Sequence, residues 1–147
     1  MDTEQSWYKK IFFEFIKFAT VGTGGVLIDF VLLNTLSWIT GITSGSAIIP
    51  LNVISFSTAL LFTFFFNKRW TFGDLGVGKN YKKFALFMLI SLGGLSINTF
   101  FVHLISTNIS PVFGLSGILW LNVAKVIATG ASGTWNFLGY KNIVFRK

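Results

Sequence analysis

Residues 15–38, 46–66, 84–107 and 115–138 are nearly uninterrupted apolar runs, each about the 20 residues that a helix needs to cross roughly 30 Å of hydrocarbon. Runs of this kind leave few folds open. A transmembrane strand takes only about 10 residues and alternates between its two faces, which continuous runs do not. With 52% hydrophobic and 12% charged residues, the chain also lacks the polar groups to cover a water-soluble domain. It reads as an all-α membrane protein, one domain over residues 1–147, with four transmembrane helices. The N-terminal residues MDTEQSWYKK lead into a run too long for a signal peptide, so helix 1 is expected to stay in the mature protein.

The charge pattern orients the helices. Of the twelve Lys and Arg residues, all but Lys125 lie near the start of helix 1 (Lys9, Lys10, Lys17), between helices 2 and 3 (Lys68, Arg69, Lys79, Lys82, Lys83) or at the C-terminus (Lys141, Arg146, Lys147). The connections at 39–45 and 108–114 carry none. By the positive-inside rule both termini and the central loop are cytoplasmic, a multi-pass N-in/C-in arrangement in the cytoplasmic membrane. The net charge of +7 is therefore a topology signal and not a nucleic-acid footprint. Residues 7–17 read as an interfacial amphipathic lead-in, and Trp7, Trp38, Trp70 and Trp120 fall where aromatic belts form.

The two halves resemble each other. FIKFATVGTGGVLIDFVLLNTLS laid on FALFMLISLGGLSINTFFVHLIS matches Phe15 with Phe84, Phe18 with Phe87, Gly24-Gly25 with Gly93-Gly94, and Ile28-Asp29 with Ile97-Asn98. The second helices open on Asn52-Val53 and Asn122-Val123 and end as TFFFNKRWTF and NFLGYKNIVF. Repeat 1 covers about residues 12–74 and repeat 2 about 81–147. Two helices per unit make the repeats parallel, because each unit enters from the same side.

Apart from Lys17 at the start of the first run, two charges lie inside the runs, Asp29 and Lys125. Each costs roughly 2.5 to 3.5 kcal/mol at the centre of a lipid-facing helix, so both should face the bundle interior. At about 1.5 Å per residue, Asp29, Asn98, Asn52 and Lys125 stand about 20 Å above the cytoplasmic ends, with Asn122 somewhat higher. One function of such a layer is structural, an Asp29 to Lys125 pair with asparagines bonded between helices. Small residues (Gly22, Gly24, Gly25, Gly93, Gly94, Ala124, Ala128, Gly130, Ala131, Ser132, Gly133) would let the helices close on one another.

The Phe-rich helix 1 with Gly22, Gly24, Gly25 and Asp29, and the helix ends carried by Asn67, Lys68, Arg69, Trp70 and Phe72 and by Asn136, Phe137, Lys141 and Phe145, resemble the GtrA-like family of small four-helix membrane proteins. The resemblance spans about residues 15–145. In the second motif Asn142 and Ile143 stand where Arg69 and Trp70 stand in the first. The resemblance implies a translocase, or flippase, for a polyprenyl-phosphate-linked monosaccharide used to glycosylate cell-surface polysaccharide. On that reading Lys125 takes the lipid phosphate, Asp29 holds the ammonium when the site is empty, and Asn52, Asn98 and Asn122 bond sugar hydroxyls. Trp135 would stack on a sugar ring with Asn136 beside it, and Lys68, Arg69, Lys82 and Lys83 would gather phosphate at the cytoplasmic entrance.

No nucleophile with a base, paired carboxylates or metal-ligand cluster is visible, and there is no cysteine. The chain is expected to be no enzyme and to need no cofactor or metal. Expected partners are the lipid-linked sugar, membrane lipids, a membrane glycosyltransferase and further copies of the chain in a homo-oligomer. Two other functions compete. One is a small proton-coupled multidrug-type exporter using Asp29, against which Lys125 stands as a repulsive neighbour for cations. The other is a noncatalytic partner that stabilises a membrane glycosyltransferase. His103 alone reads as a packing residue. The topology has a direct check: green fluorescent protein fused after Lys147 fluoresces and alkaline phosphatase there is inactive, and both signals reverse for fusions at Gly45.

Overall fold

The computed structural model describes residues 2–66, 69 and 81–139, and no side chains of residues 2–12, 14, 15, 18, 19 and 81–84. Lys68, Trp7, Trp70, the helix-end motifs beyond Phe66 and Gly139, and the side chains of Lys82 and Lys83 lie outside what is described. The described chain is helical, with no strand: α1 is Asp2–Thr40, α2 Ile48–Phe66, α3 Tyr81–Asn108 and α4 Gly117–Gly139.

Three stretches are long and apolar enough to cross a membrane, Thr20–Thr40, Ile48–Phe66 and Ala85–Asn108. The fourth helix has 23 residues, which is enough length, but Asn122 and Lys125 interrupt its apolar character. Helix α1 differs from expectation in being continuous for 39 residues, with no separate interfacial segment. The reason is local: neither Gly nor Pro occurs before Gly22, so nothing ends the helix where the hydrocarbon is expected to begin.

The short connections fall at the uncharged turns. Gly41, at φ 72°, takes the left-handed conformation that ends α1, and its N–H bonds Ser37 O at 2.8 Å. Pro50 sits in the first turn of α2, where a missing N–H costs nothing. At the end of the bundle that carries these turns, Gly45 N–H donates to Thr107 Oγ1 at 2.8 Å, and His103 Nδ1 lies 3.2 Å from Gly45 O. His103 thus fastens the α1–α2 turn to α3.

The helices form a ring in chain order. α3 packs most extensively on α4 and α1 on α2, α2 meets α3 over less, and α1 meets α4 over least. Glycines set the close seams: a methyl on Gly25 would run into Thr63, and one on Gly24 would lie 3.3 Å from the Phe62 ring. On the other side of the bundle, methyls on Gly93 and Gly94 would lie 2.7 Å from Trp135 Nε1 and 2.5 Å from Asn136 Oδ1. Gly22, Gly130 and Gly133 do not behave as expected, since nothing lies within 4 Å of a methyl built on them.

The distribution of side chains is inverted relative to a water-soluble protein. Leu27, Val31, Ile39, Leu89 and Val126 are at least 60% exposed, whereas Asn52, Ser55, Ser91, Asn98 and Lys125 are 0% exposed. An apolar core of Leu33, Ile48, Val102, Leu121 and Ala128 flanks the polar positions. Trp38 is 84% exposed near the C-terminal end of α1, in keeping with a belt position, but Trp120 is a correction. It is buried against α3, its indole N–H donating to the carbonyls of Ile105 (3.1 Å), which also accepts the Ile109 N–H, and of Ile109 (2.8 Å), just past the end of α3.

The seams make a stability prediction. Gly94→Val forces Asn136 and α4 aside and is expected to cost about 1–3 kcal/mol, read as a lower melting temperature in detergent. Gly130→Val, which enters open space, leaves the melting temperature near wild type.

Candidate functional site

The buried polar groups converge on one ammonium. Lys125 of α4 is fully buried, and its three N–H bonds have three acceptors. These are Asp29 Oδ2 of α1 at 2.7 Å, Asn52 Oδ1 of α2 at 2.7 Å and Asn98 Oδ1 of α3 at 3.2 Å. Each helix therefore supplies one member of the layer. The ring of Phe56 lies 5.8 Å from the ammonium and adds a weaker attraction.

The acceptors are themselves held. Ser55 Oγ donates to the second carboxylate oxygen, Asp29 Oδ1, at 2.7 Å. Asn52 Nδ2 donates to Asn98 Oδ1 and to Thr99 Oγ1, both at 3.1 Å, and Asn98 Nδ2 donates to Ser132 Oγ at 3.3 Å. The Ser132 hydroxyl passes its proton bond to Thr129 O at 3.3 Å. A charge taken out of water needs this degree of satisfaction to persist in a low-dielectric interior. Chemically, the arrangement is an anion site filled by the protein's own carboxylate. An external anion could reach the ammonium by taking over from Asp29 or an asparagine, with no covalent step.

Of the residues singled out in the sequence, Asp29, Lys125, Asn52 and Asn98 come together. Asn122 does not join them. It pairs reciprocally with Asn34 of α1, the two amides donating to each other at 2.7 and 2.8 Å. The reason is rotation: three residues from Lys125 on a helix is about 60° around the axis, which turns Asn122 from the bundle centre toward α1. Trp135 and Asn136 also stand apart, about 15 Å along α4 from Lys125. The Trp135 indole donates to Ile90 O at 3.0 Å, and Asn136 lies against Gly94 with its Oδ1 buried and without a hydrogen-bond partner. Of the entrance cations, Arg69 is exposed, and the others are outside the described side chains.

Sequence reasoning passed over Ser55, Thr99 and Asn34, and took Ser132 only as a small packing residue. Serines and threonines are frequent in these helices and most bond the carbonyl one turn back, as Thr58 does to Ile54 O and Thr134 to Gly130 O. Nothing in composition separates Ser55 from them. Asn34 did carry a signal, as an amide inside an apolar run near the height of Asn122. Among the described residues, no three His, Cys, Asp or Glu gather where they could hold a metal.

The family model described as GtrA/DPMS, transmembrane domain, matches residues 17–145. No curated protein and no solved structure matches the chain.

Removing one member of the ion pair strands the other. Lys125→Met and Asp29→Leu, made singly, are each expected to destabilise the bundle by about 3–5 kcal/mol, whereas the double replacement regains most of the loss. A double-mutant cycle on melting temperature in detergent measures the coupling; strictly additive losses would contradict it.

Proposed function

Because the chain belongs to the GtrA/DPMS transmembrane-domain family, we propose that it is a flippase that moves a polyprenyl-phosphate-linked monosaccharide across the cytoplasmic membrane to supply cell-surface glycosylation. The observation that carries this reading is the fully buried Lys125 ammonium, placed mid-helix and held by Asp29, Asn52 and Asn98. A lipid-linked sugar has a tail that is stable in hydrocarbon and a phosphate with hydroxyls that are not. The layer offers one cation for the phosphate and amides for the hydroxyls, with Asp29 as the place-holder that keeps the cation satisfied between substrates.

On this reading α4 crosses the membrane with the other three helices, both termini are cytoplasmic, and Arg69 with Lys68, Lys82 and Lys83 stands at the inner headgroups. The chain performs no covalent chemistry and takes no cofactor. Two parallel repeats fit the contacts. Gly24 and Gly25 meet Phe62 and Thr63 as Gly93 and Gly94 meet Trp135 and Asn136. The displacement that carries Gly25 onto Gly94 carries Asp29 onto Asn98, and the one that carries Thr63 onto Asn136 carries Asn52 onto Lys125. The repeat partner of Lys125 is then Asn52 rather than Asn122, and the polar layer consists of two equivalent pairs of positions, Asp29 with Asn98 and Asn52 with Lys125, each with one charged member. A homo-oligomer widens the path that one narrow bundle provides. A cationic export substrate, in contrast, would meet an acid already matched to a lysine.

The functional and the purely structural roles of the pair separate in one variant. Asp29→Asn/Lys125→Gln keeps the layer uncharged and hydrogen-bonded, and it is expected to melt near wild type while losing translocation of a polyprenyl phosphosugar in proteoliposomes by more than tenfold. Wild-type transport in that variant would reduce the pair to helix adhesion.

A further inference from the structure

The seam between α1 and α4 is closed at its outer end by Asn34 with Asn122 and at its middle by Asp29 with Lys125. Inward of these contacts the facing sides of the two helices carry exposed side chains and unpacked glycines. The face of α1 that carries Asn34 continues inward at helical spacing through Leu27, Val26 and Thr23. Leu27 is 60% and Val26 40% exposed. The face of α4 that carries Asn122 continues through Val126, Thr129, Gly130 and Gly133. Val126 is 60% exposed, and nothing lies within 4 Å of a methyl built on Gly130 or Gly133, or on Gly22 of α1. The glycines of the α1/α2 and α3/α4 seams, by contrast, are pressed against a neighbour. Beside the opening, Thr129 Oγ1 is buried without a hydrogen-bond partner, about one turn inward of Lys125 and between the faces of Lys125 and Asn122.

From this arrangement we propose that the crevice between the inner halves of α1 and α4 is a lateral binding groove for the headgroup of a polyprenyl phosphate, leading from the inner leaflet to Lys125. The inference deepens the flippase reading and rests on it for the choice of ligand. Four features fit that occupant. The lips are apolar (Val26, Leu27, Val126), so an isoprenoid tail stays in lipid as the head enters. The walls at Gly22, Gly130 and Gly133 carry no side chain and leave width for a sugar. Thr129 offers an oxygen that lacks a donor, and sugar hydroxyls are donors. The closed end holds the one buried cation among the described residues, complementary to a phosphate.

The absence of cysteine allows a clean test. Single variants Gly133→Cys and Val126→Cys, with Ile54→Cys on the lipid-facing side of α2 as control, are labelled in nanodiscs by a membrane-permeant maleimide with and without a polyprenyl phosphate. At roughly ten times its Kd the lipid is expected to slow labelling about tenfold at Gly133→Cys and Val126→Cys and not at Ile54→Cys. Gly133→Leu, whose Cβ would meet nothing within 4 Å and whose side chain would extend into the groove, is expected to keep the wild-type melting temperature and lose that protection at Val126→Cys. Equal labelling with and without lipid at the two groove positions overturns the groove, whatever the transport assay shows. Ready disulfide dimers through Gly133→Cys also overturn it, by assigning the crevice to a second copy of the chain. Protection in the groove, together with a wild-type protein that moves no lipid-linked sugar, supports the groove and rejects the flippase.

Discussion

A primary ammonium inside hydrocarbon has three hydrogens to satisfy and no water to do it. That requirement organises the bundle. Lys125 takes one acceptor from each of the other three helices, Asp29, Asn52 and Asn98, so a single side chain fixes their relative height and rotation. The apolar residues cannot do this, because lipid tails are as apolar as Leu or Val and give no preference for one helix packing over another. Specificity of assembly comes instead from a buried polar layer and from glycine contacts that only one register permits, such as Gly94 against Asn136 and Gly25 against Thr63.

The same layer has the properties of a site. Its charges cancel and the ammonium and both carboxylate oxygens have partners, which stabilises the layer without making it inert. A carboxylate is the nearest protein mimic of a phosphate anion, and Asp29 occupies the position that an anionic ligand would contest. The surrounding hydroxyl of Ser55 and the amides of Asn52 and Asn98 remain available to rearrange around such an exchange.

Much of this was legible in the sequence. Apolar run length located four helices, and counting residues from the cytoplasmic ends placed Asp29, Asn52, Asn98 and Lys125 at one height, where they indeed meet. Height along a helix follows from residue number alone, but azimuth needs the neighbours. That is why Asn122 was grouped with the layer although it turns toward Asn34, and why Trp120 was put at a membrane interface although it faces carbonyls at the end of α3. The glycines show the same limit. Gly25 and Gly133 look alike in a string of letters, yet one is pressed against Thr63 and the other faces open space. The long α1 was missed for a different reason, since the end of a hydrophobic run is not the end of a helix when no residue breaks it.

Four helices arranged in a ring make four seams, and one chain joining them end to end can bridge only three. Here the turn at 41–47 ties α1 to α2, that at 109–116 ties α3 to α4, and residues 67–80 tie α2 to α3. The α1/α4 seam alone has no covalent bridge. The bundle is bound like a book whose spine is α2 with α3, further stitched at the end that carries the two short turns by Thr107 and His103 to Gly45. Its covers, α1 and α4, meet along the free edge through a few polar side chains. The edge that can part without stretching a loop is the one with the charges behind it.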